Sequence, residues 1–316
     1  MINRVLLRIR IIQVLYSLNK NSSKSAAAAE KELLHNLERT YDLYFHLLNL
    51  IILITNYAEG RIEARRNRLL PSKEDLNPNT RFINNQFVKQ LASNKQLKEY
   101  LAKRKLSWAD NQDITKSLFN EIEQSDCYLQ YINATGENYE DDKMLWRNIF
   151  KQIIANNDNL EESLEEQCIY WIDLLGYISG FIDKSIKFFD LENGAFQELQ
   201  PMFRDEEDSD FARKLIKKTI DEQDILLDII DKHLKNWELD RVSIMDILIM
   251  QTAVAELTDF PTIPINVTLN EYIEIARYYS SEKSPTFMNG ILDSIVKELK
   301  NDNKLIKVVT FNKDED

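Results

Sequence analysis

Apolar residues recur at three- and four-residue intervals over most of the chain. From about Asn3 to Leu18, Val5, Ile9, Ile12 and Leu15 form a helical stripe, with Arg4, Arg8 and Gln13 off it. The polar stretch NKNSSKS then interrupts. A long helical signal from about Ala26 to Leu70 keeps its period through Leu33, Leu37, Tyr41, Tyr44, Leu48 and Ile52. Its most apolar run, LLNLIILI, is far too short to span a bilayer and reads as a buried helix. The end of this segment carries Arg61, Arg65, Arg66 and Arg68, cations that suit the negative end of a helix macrodipole.

Residues 71–80 read as a turn-rich linker, 82–130 as short helices, and 133–142 as a loop. Helices are expected over about 143–157 and 161–190, with an acidic connector at 199–210. The last third is patterned most strongly. One amphipathic helix runs from Phe211 to Leu234. A second, over 237–257, is nearly continuous in apolar residues and is therefore expected at the centre of a core. FPTIPIN is an extended connection, because residues before proline avoid the helical region. Thr268 and Glu271 form a T-x-x-E pattern, read as a capping box. Ser284 is read as the N-cap of the final helix, with Pro285 at its first position.

Composition sharpens the fold class. The 316 residues hold only six glycines and six prolines, against average usage of about 7% and 5%. Few turn formers and long amphipathic periods predict an all-α protein. None of the glycines makes a G-x-G-x-x-G or phosphate-loop pattern, and no G-x-S-x-G occurs. Cys127 and Cys168 stand far apart, and the three histidines are scattered, so no metal-ligand spacing exists. Neither a catalytic constellation nor a cofactor is expected, and a reducing cytoplasm is the expected location. Net charge is −12, which argues against a wholly basic nucleic-acid binder. Residues 1–24, however, carry Arg4, Arg8, Arg10, Lys20 and Lys24 and no acid, an asymmetry that marks a local anionic partner.

Two landmarks about 250 residues apart carry a resemblance. The first is RIRIIQVLYSL, with Gln13-Val14-Leu15-Tyr16. The second is INVTLNEYIEIARYYSSEKSPTFMNGILDSI, in which Leu269-Asn270-Glu271, Ile273-Glu274-Ile275-Ala276-Arg277 and Phe287-Met288-Asn289-Gly290-Ile291-Leu292-Asp293 fall in fixed order. Between them, LDRVSIMDILIMQTAVAEL ends in a small-x-x-Glu-Leu pattern. Together these resemble the NusB family of transcription antitermination factors, in a long form. The arginine of the family's central-helix pattern is absent, Ile247-Leu248-Ile249-Met250 standing there.

The resemblance implies an all-α, NusB-like bundle of two small helical subdomains. Residues 1–20 would supply its first helix, 21–202 a helical insertion, 203–300 the remainder and 301–316 a C-terminal tail. It implies RNA binding in rRNA transcription, with the ribosomal protein NusE as partner, single-stranded BoxA-type RNA as ligand and the elongation complex as setting. It implies no enzyme and no membrane. The expected RNA contacts are Arg4, Arg8, Arg10, Tyr16, Phe287 and Asn289. Asp246 and Tyr16 are the expected partner contacts. Gly290 is expected either at a close helix crossing or where it leaves room near the RNA, and Arg61, Arg65, Arg66 and Arg68 are a candidate additional RNA-facing patch. Two other readings exist. One is a protein-interaction scaffold without RNA binding. The other is the RNA-binding module of an rRNA methyltransferase, which would need a following glycine-rich domain.

Overall fold

The computed structural model describes residues 1–20, 25–234, 238–305 and 307–308. Residues 21–24 of the expected polar loop, Trp237 at the start of the expected central helix, and 309–316 of the tail lie outside the described residues. The chain is all-α, and the β-pairing among the described residues is an isolated bridge between Ile2 and Phe203. In order, the helices are α1 (Arg4–Lys20), α2 (Ala26–Arg66), α3 (Lys73–Leu76), α4 (Gln86–Ser93), α5 (Lys95–Arg104), α6 (Gln112–Gln124), α7 (Asp126–Asn133) and α8 (Tyr139–Gln152). They continue with α9 (Asp158–Gln167), α10 (Leu175–Phe188), α11 (Glu206–Asp221), α12 (Gln223–Asp231), α13 (Ile244–Asp259), α14 (Ile265–Tyr279) and α15 (Ser284–Asn301).

The helices divide into two compact units. One holds Glu38–Met202, together with Met1; the other holds Ile2–Leu37 and Phe203–Asp316. In the 38–202 unit, α2 supplies a core of Leu43, Tyr44, Phe45, Leu47, Leu48, Ile51 and Ile54, all buried. This is the run expected to be a buried helix. Short helices surround it, and side-chain caps explain why they stop and start where they do. Asn85, Asn94, Ser125 and Asn157 each accept a first-turn backbone N–H that the helix leaves unpaired. The buried polar residues of α2 are held as well. The Asp42 carboxylate accepts from Arg104 (two bonds of 2.7 Å), Tyr100 (2.8 Å) and Arg39 (3.1 Å).

In the second unit α13 is central, packing against α1, α11, α12, α14 and α15. Its burial from Leu248 to Leu257 accounts for the near-continuous apolar pattern. Two expectations about helix starts are corrected. First, α14 begins one turn before Thr268, at Ile265 after Pro264, and the Thr268 hydroxyl donates to Glu256 (2.8 Å) instead of capping. The T-x-x-E spacing coincides with a helix period here. Second, Ser284 is the first residue of α15 with Lys283 in the cap position, and its hydroxyl donates to Asp246 (2.9 Å). The phase of α1 also differs from the expected stripe. Leu6, Leu7, Ile11, Ile12, Val14 and Leu15 are buried and Val5 is exposed, because the helix is covered on more than one side.

Candidate nucleic-acid interface

The arginines of α1 point mostly inward. Arg8 is 2% exposed. Its Nε and Nη2 donate to the two carboxylate oxygens of Glu256 at 2.7 and 2.8 Å, and Glu271 lies 3.8 Å away. Glu256 also accepts from Thr268 and from the Tyr272 hydroxyl (3.0 Å), so one buried carboxylate takes four hydrogen bonds. Burial works to lower the Arg8 pKa, but the bond and charge of Glu256 outweigh it and the net shift is upward. Burial and the same carboxylate hold the Tyr272 hydroxyl neutral, its pKa well above the usual value. Arg8, an expected phosphate contact, is thus placed in an internal ion pair.

Arg10 is likewise buried, with Nη1 donating to Gln13 at 2.7 Å. Arg4 is the more accessible of the three, its side chain 30% exposed, yet it binds Asp208 at 3.0 Å, approaches Glu207 at 3.6 Å and lies over the Phe211 ring. The acid-free start thus meets its counter-charge in the first turn of α11 and in α13, not only in an outside anion. Tyr16 is half-buried, with Lys20 over its ring at 5.4 Å.

A second group of expected residues gathers at the other end of α13. Ser243 caps that helix and accepts the Asp246 N–H at 3.1 Å. The Asp246 carboxylate is 6% exposed and accepts from the Ser280 and Ser284 hydroxyls at 2.6 and 2.9 Å. It ties the start of α13 to the start of α15, so the residue expected as a partner contact is a buried, bonded carboxylate. Beside this tie lies a cavity of about 310 Å³, lined by Arg241, Val242, Ser243, Lys283, Phe287 and Asp246 among others. Phe287 is half-buried at this cavity, and Lys283 and Asn289 are exposed. Asn289 donates to Asp293 at 3.4 Å, one turn on. Ten residues of α13 separate Asp246 from Glu256, about 15 Å of helix, so the Arg8 pair and the Phe287 cavity are distinct places. Lys283 and Arg241 were not singled out from sequence. Lys283 lies just before the Phe-x-Asn-Gly segment and Arg241 in the connection before α13, and charge is the only signal either carries.

Gly290 does not sit at a crossing. It is exposed on α15, and a Cβ built there meets nothing within 4 Å. Without a packing neighbour, Gly290→Ala is expected to stabilise the helix by up to ~1 kcal/mol. Chemical denaturation of the two proteins checks this; a destabilised alanine variant would restore the crossing.

Comparison with known proteins follows this geometry. The NusB family profile matches residues 183–297, which run from α10 through most of α15 and leave α1 outside the match. The transcription antitermination protein NusB of Salinibacter ruber is 36% identical over 107 residues, 34% of this chain and 67% of the relative. Its namesakes in Bacillus pumilus and Bacillus subtilis are 39% and 38% identical, covering 30% of this chain and 74% and 73% of theirs. A solved T. maritima NusB shares 36% identity, with coverage of 37% and 82% and a TM-score of 0.29. Together with the helices described above, these comparisons define an all-α chain carrying one family domain within a much longer sequence. The chain belongs to the NusB family. Its relatives support a role as a transcription antitermination factor.

Proposed function

We propose that the protein is an RNA-binding antitermination factor of rRNA transcription, acting in the cytoplasm. In this reading it joins the ribosomal protein NusE on BoxA-type single-stranded RNA in the elongation complex. One observation carries this: the cavity at the start of α15, where the Phe287 ring stands beside Lys283 and Arg241, next to the open surface at Asn289 and Gly290. Loosely structured RNA is held by phosphate contacts and by stacking on aromatic rings. The open face at Gly290 leaves room for a backbone or a base. Phe287, Asn289, Tyr16 and Arg4 are the direct contacts in this reading, with Arg4 exchanging Asp208 for a phosphate. Arg8, Arg10 and Asp246 act at one remove, holding α1, α13 and α15 in place. The partner protein would meet Tyr16 on α1 and the α13–α15 tie at Asp246.

Titration of labelled BoxA-like RNA, with and without a NusE-type ribosomal protein, tests the reading. Binding that tightens when the partner is added supports it. Replacing Phe287 by alanine is expected to weaken RNA binding by ~1–3 kcal/mol, the worth of one stacked base. If the chain binds its protein partner and never the RNA, the scaffold reading takes its place.

A further inference from the structure

We propose that the 38–202 unit carries a second single-stranded RNA site, in which the end of α2 grips phosphates and the cavity beside it takes a base. The proposal rests on the reading above that the chain binds RNA, and it adds a surface that the matched family region does not contain. The cavity, about 330 Å³, is walled by Phe82, Phe119 and Tyr128 and mouthed by Arg61 and Arg65. Phe82 and Phe119 are buried, and Tyr128 packs on Phe82 at 5.3 Å between ring centroids. Tyr128 is half-buried, and its hydroxyl, open to solvent, makes no hydrogen bond to protein among the described residues and is available to a ligand. The Arg61 guanidinium lies over the Phe119 ring at 5.1 Å, fixed there by Glu123 at 3.0 Å. A planar cation stacked on a ring, beside a second ring with a bare hydroxyl, suits a nucleobase.

Phosphate is answered by the residues above. Arg65 and Arg66 are exposed and have no ion-pair partner among the described residues. Arg68 is 61% exposed and leans on Asp75 at 3.6 Å. Of the acids that line the cavity, Glu123 is engaged by Arg61 and Asp75 by Arg68 and the Ser72 N–H, leaving Glu74; on α2 itself Glu59 and Glu63 are exposed acids beside the arginines. Two unpaired guanidiniums in an acidic protein of net charge −12 mark a local site for a polyanion. Just beyond them Leu69 and Leu70 are fully open to solvent, apolar side chains that a base can cover.

The test uses the full chain, a short BoxA-like RNA, and the same RNA with a single-stranded 4-thiouridine extension. Wild-type protein is expected to bind the extended RNA more tightly and to crosslink it at the α7 segment containing Tyr128. The exposed charge reversal R65E/R66E is expected to abolish the gain while leaving short-RNA affinity unchanged. Its salt slope on the extended RNA should fall by about 1.4, two contacts at ~0.7 each on a single strand. An extension that adds no affinity, crosslinks confined to other helices, or an indifferent R65E/R66E overturns the site. Anionic phosphatidylserine vesicles serve as a rival probe, and sedimentation lost in R65E/R66E with no change in RNA binding would reassign the surface to lipid. If short RNA is never bound yet the extension still crosslinks at α7, it is the BoxA reading that falls and this site that stands.

Discussion

Glu256→Ala is expected to destabilise the second unit by roughly 3–5 kcal/mol, the cost of stranding one partner of a buried ion pair. Arg8 would remain 2% exposed with its two best acceptors gone. Thr268 and Tyr272 would each lose a buried acceptor too, at about 1–3 kcal/mol for an unsatisfied group. The pair itself is not the source of this cost. Desolvating both charges nearly cancels their attraction, so a double change to apolar residues of similar size, Arg8→Met with Glu256→Leu, should recover much of the loss. Amide hydrogen exchange in α1 and α13 reads the effect directly. Protection unchanged in Glu256→Ala would mean that the four bonds to this carboxylate contribute little.

This pair shows where sequence reading stops. The helices of the last third were legible because their apolar periods are long and the core lies on one side. α13 was recognisable as central from its unbroken apolar run. The burial of Arg8 was not legible because amphipathic logic assigns a charge to solvent unless its partner is visible, and the partner lies 248 residues away. The burial of Asp246 was hidden in the same way. Nothing local says that two serines on the α14–α15 connection will enclose it. Gly290 was misread for the opposite reason: a helical glycine implies either a close neighbour or an open surface, and the sequence does not choose. Phe287 and Asn289 were singled out because they stand within a dense, ordered motif, whereas Lys283 and Arg241 became candidates only through the cavity that they line with Phe287.

Between pH 6.5 and about 4, the 38–202 unit is expected to lose about 3 kcal/mol of stability through one histidine. His46 is buried, stacked on Trp108 at 4.1 Å, with Nε2 set against Gln167 Oε1 at 3.2 Å. If Nε2 carries the proton and donates to Gln167, Nδ1 is left without a partner, and a second proton there would find no acceptor. Burial drives the His46 pKa down from 6.5 to about 4. Because the folded value is depressed, the unfolded chain takes up the proton first. Stability is therefore full above pH 6.5 and falls as pH drops toward 4. At 1.36 kcal/mol per pH unit the difference is about 3 kcal/mol. Trp108, Trp146 and Trp171 all lie in this unit, so tryptophan fluorescence follows its denaturation. Compared with wild type, His46→Gln should show a shallower acid limb; equal limbs would place the proton uptake elsewhere.

The internal partner of Arg8 also has a consequence in time. On the ribosome α1 emerges well before α13, with Leu7 and Ile11 destined for full burial, and Glu256 follows Arg8 by 248 residues. At about 5–20 residues per second that interval is roughly 12–50 s. Throughout it, the apolar flank of α1 lacks the α13 side of its core and stays open to chaperones or to wrong partners. The 38–202 unit draws its core from residues that are all synthesised within that interval, so it is free to fold while α1 waits. The unit that holds α1 then closes after the 38–202 unit. A chain cut short before α11 would leave α1 as an exposed apolar helix, a natural handle for proteolytic disposal.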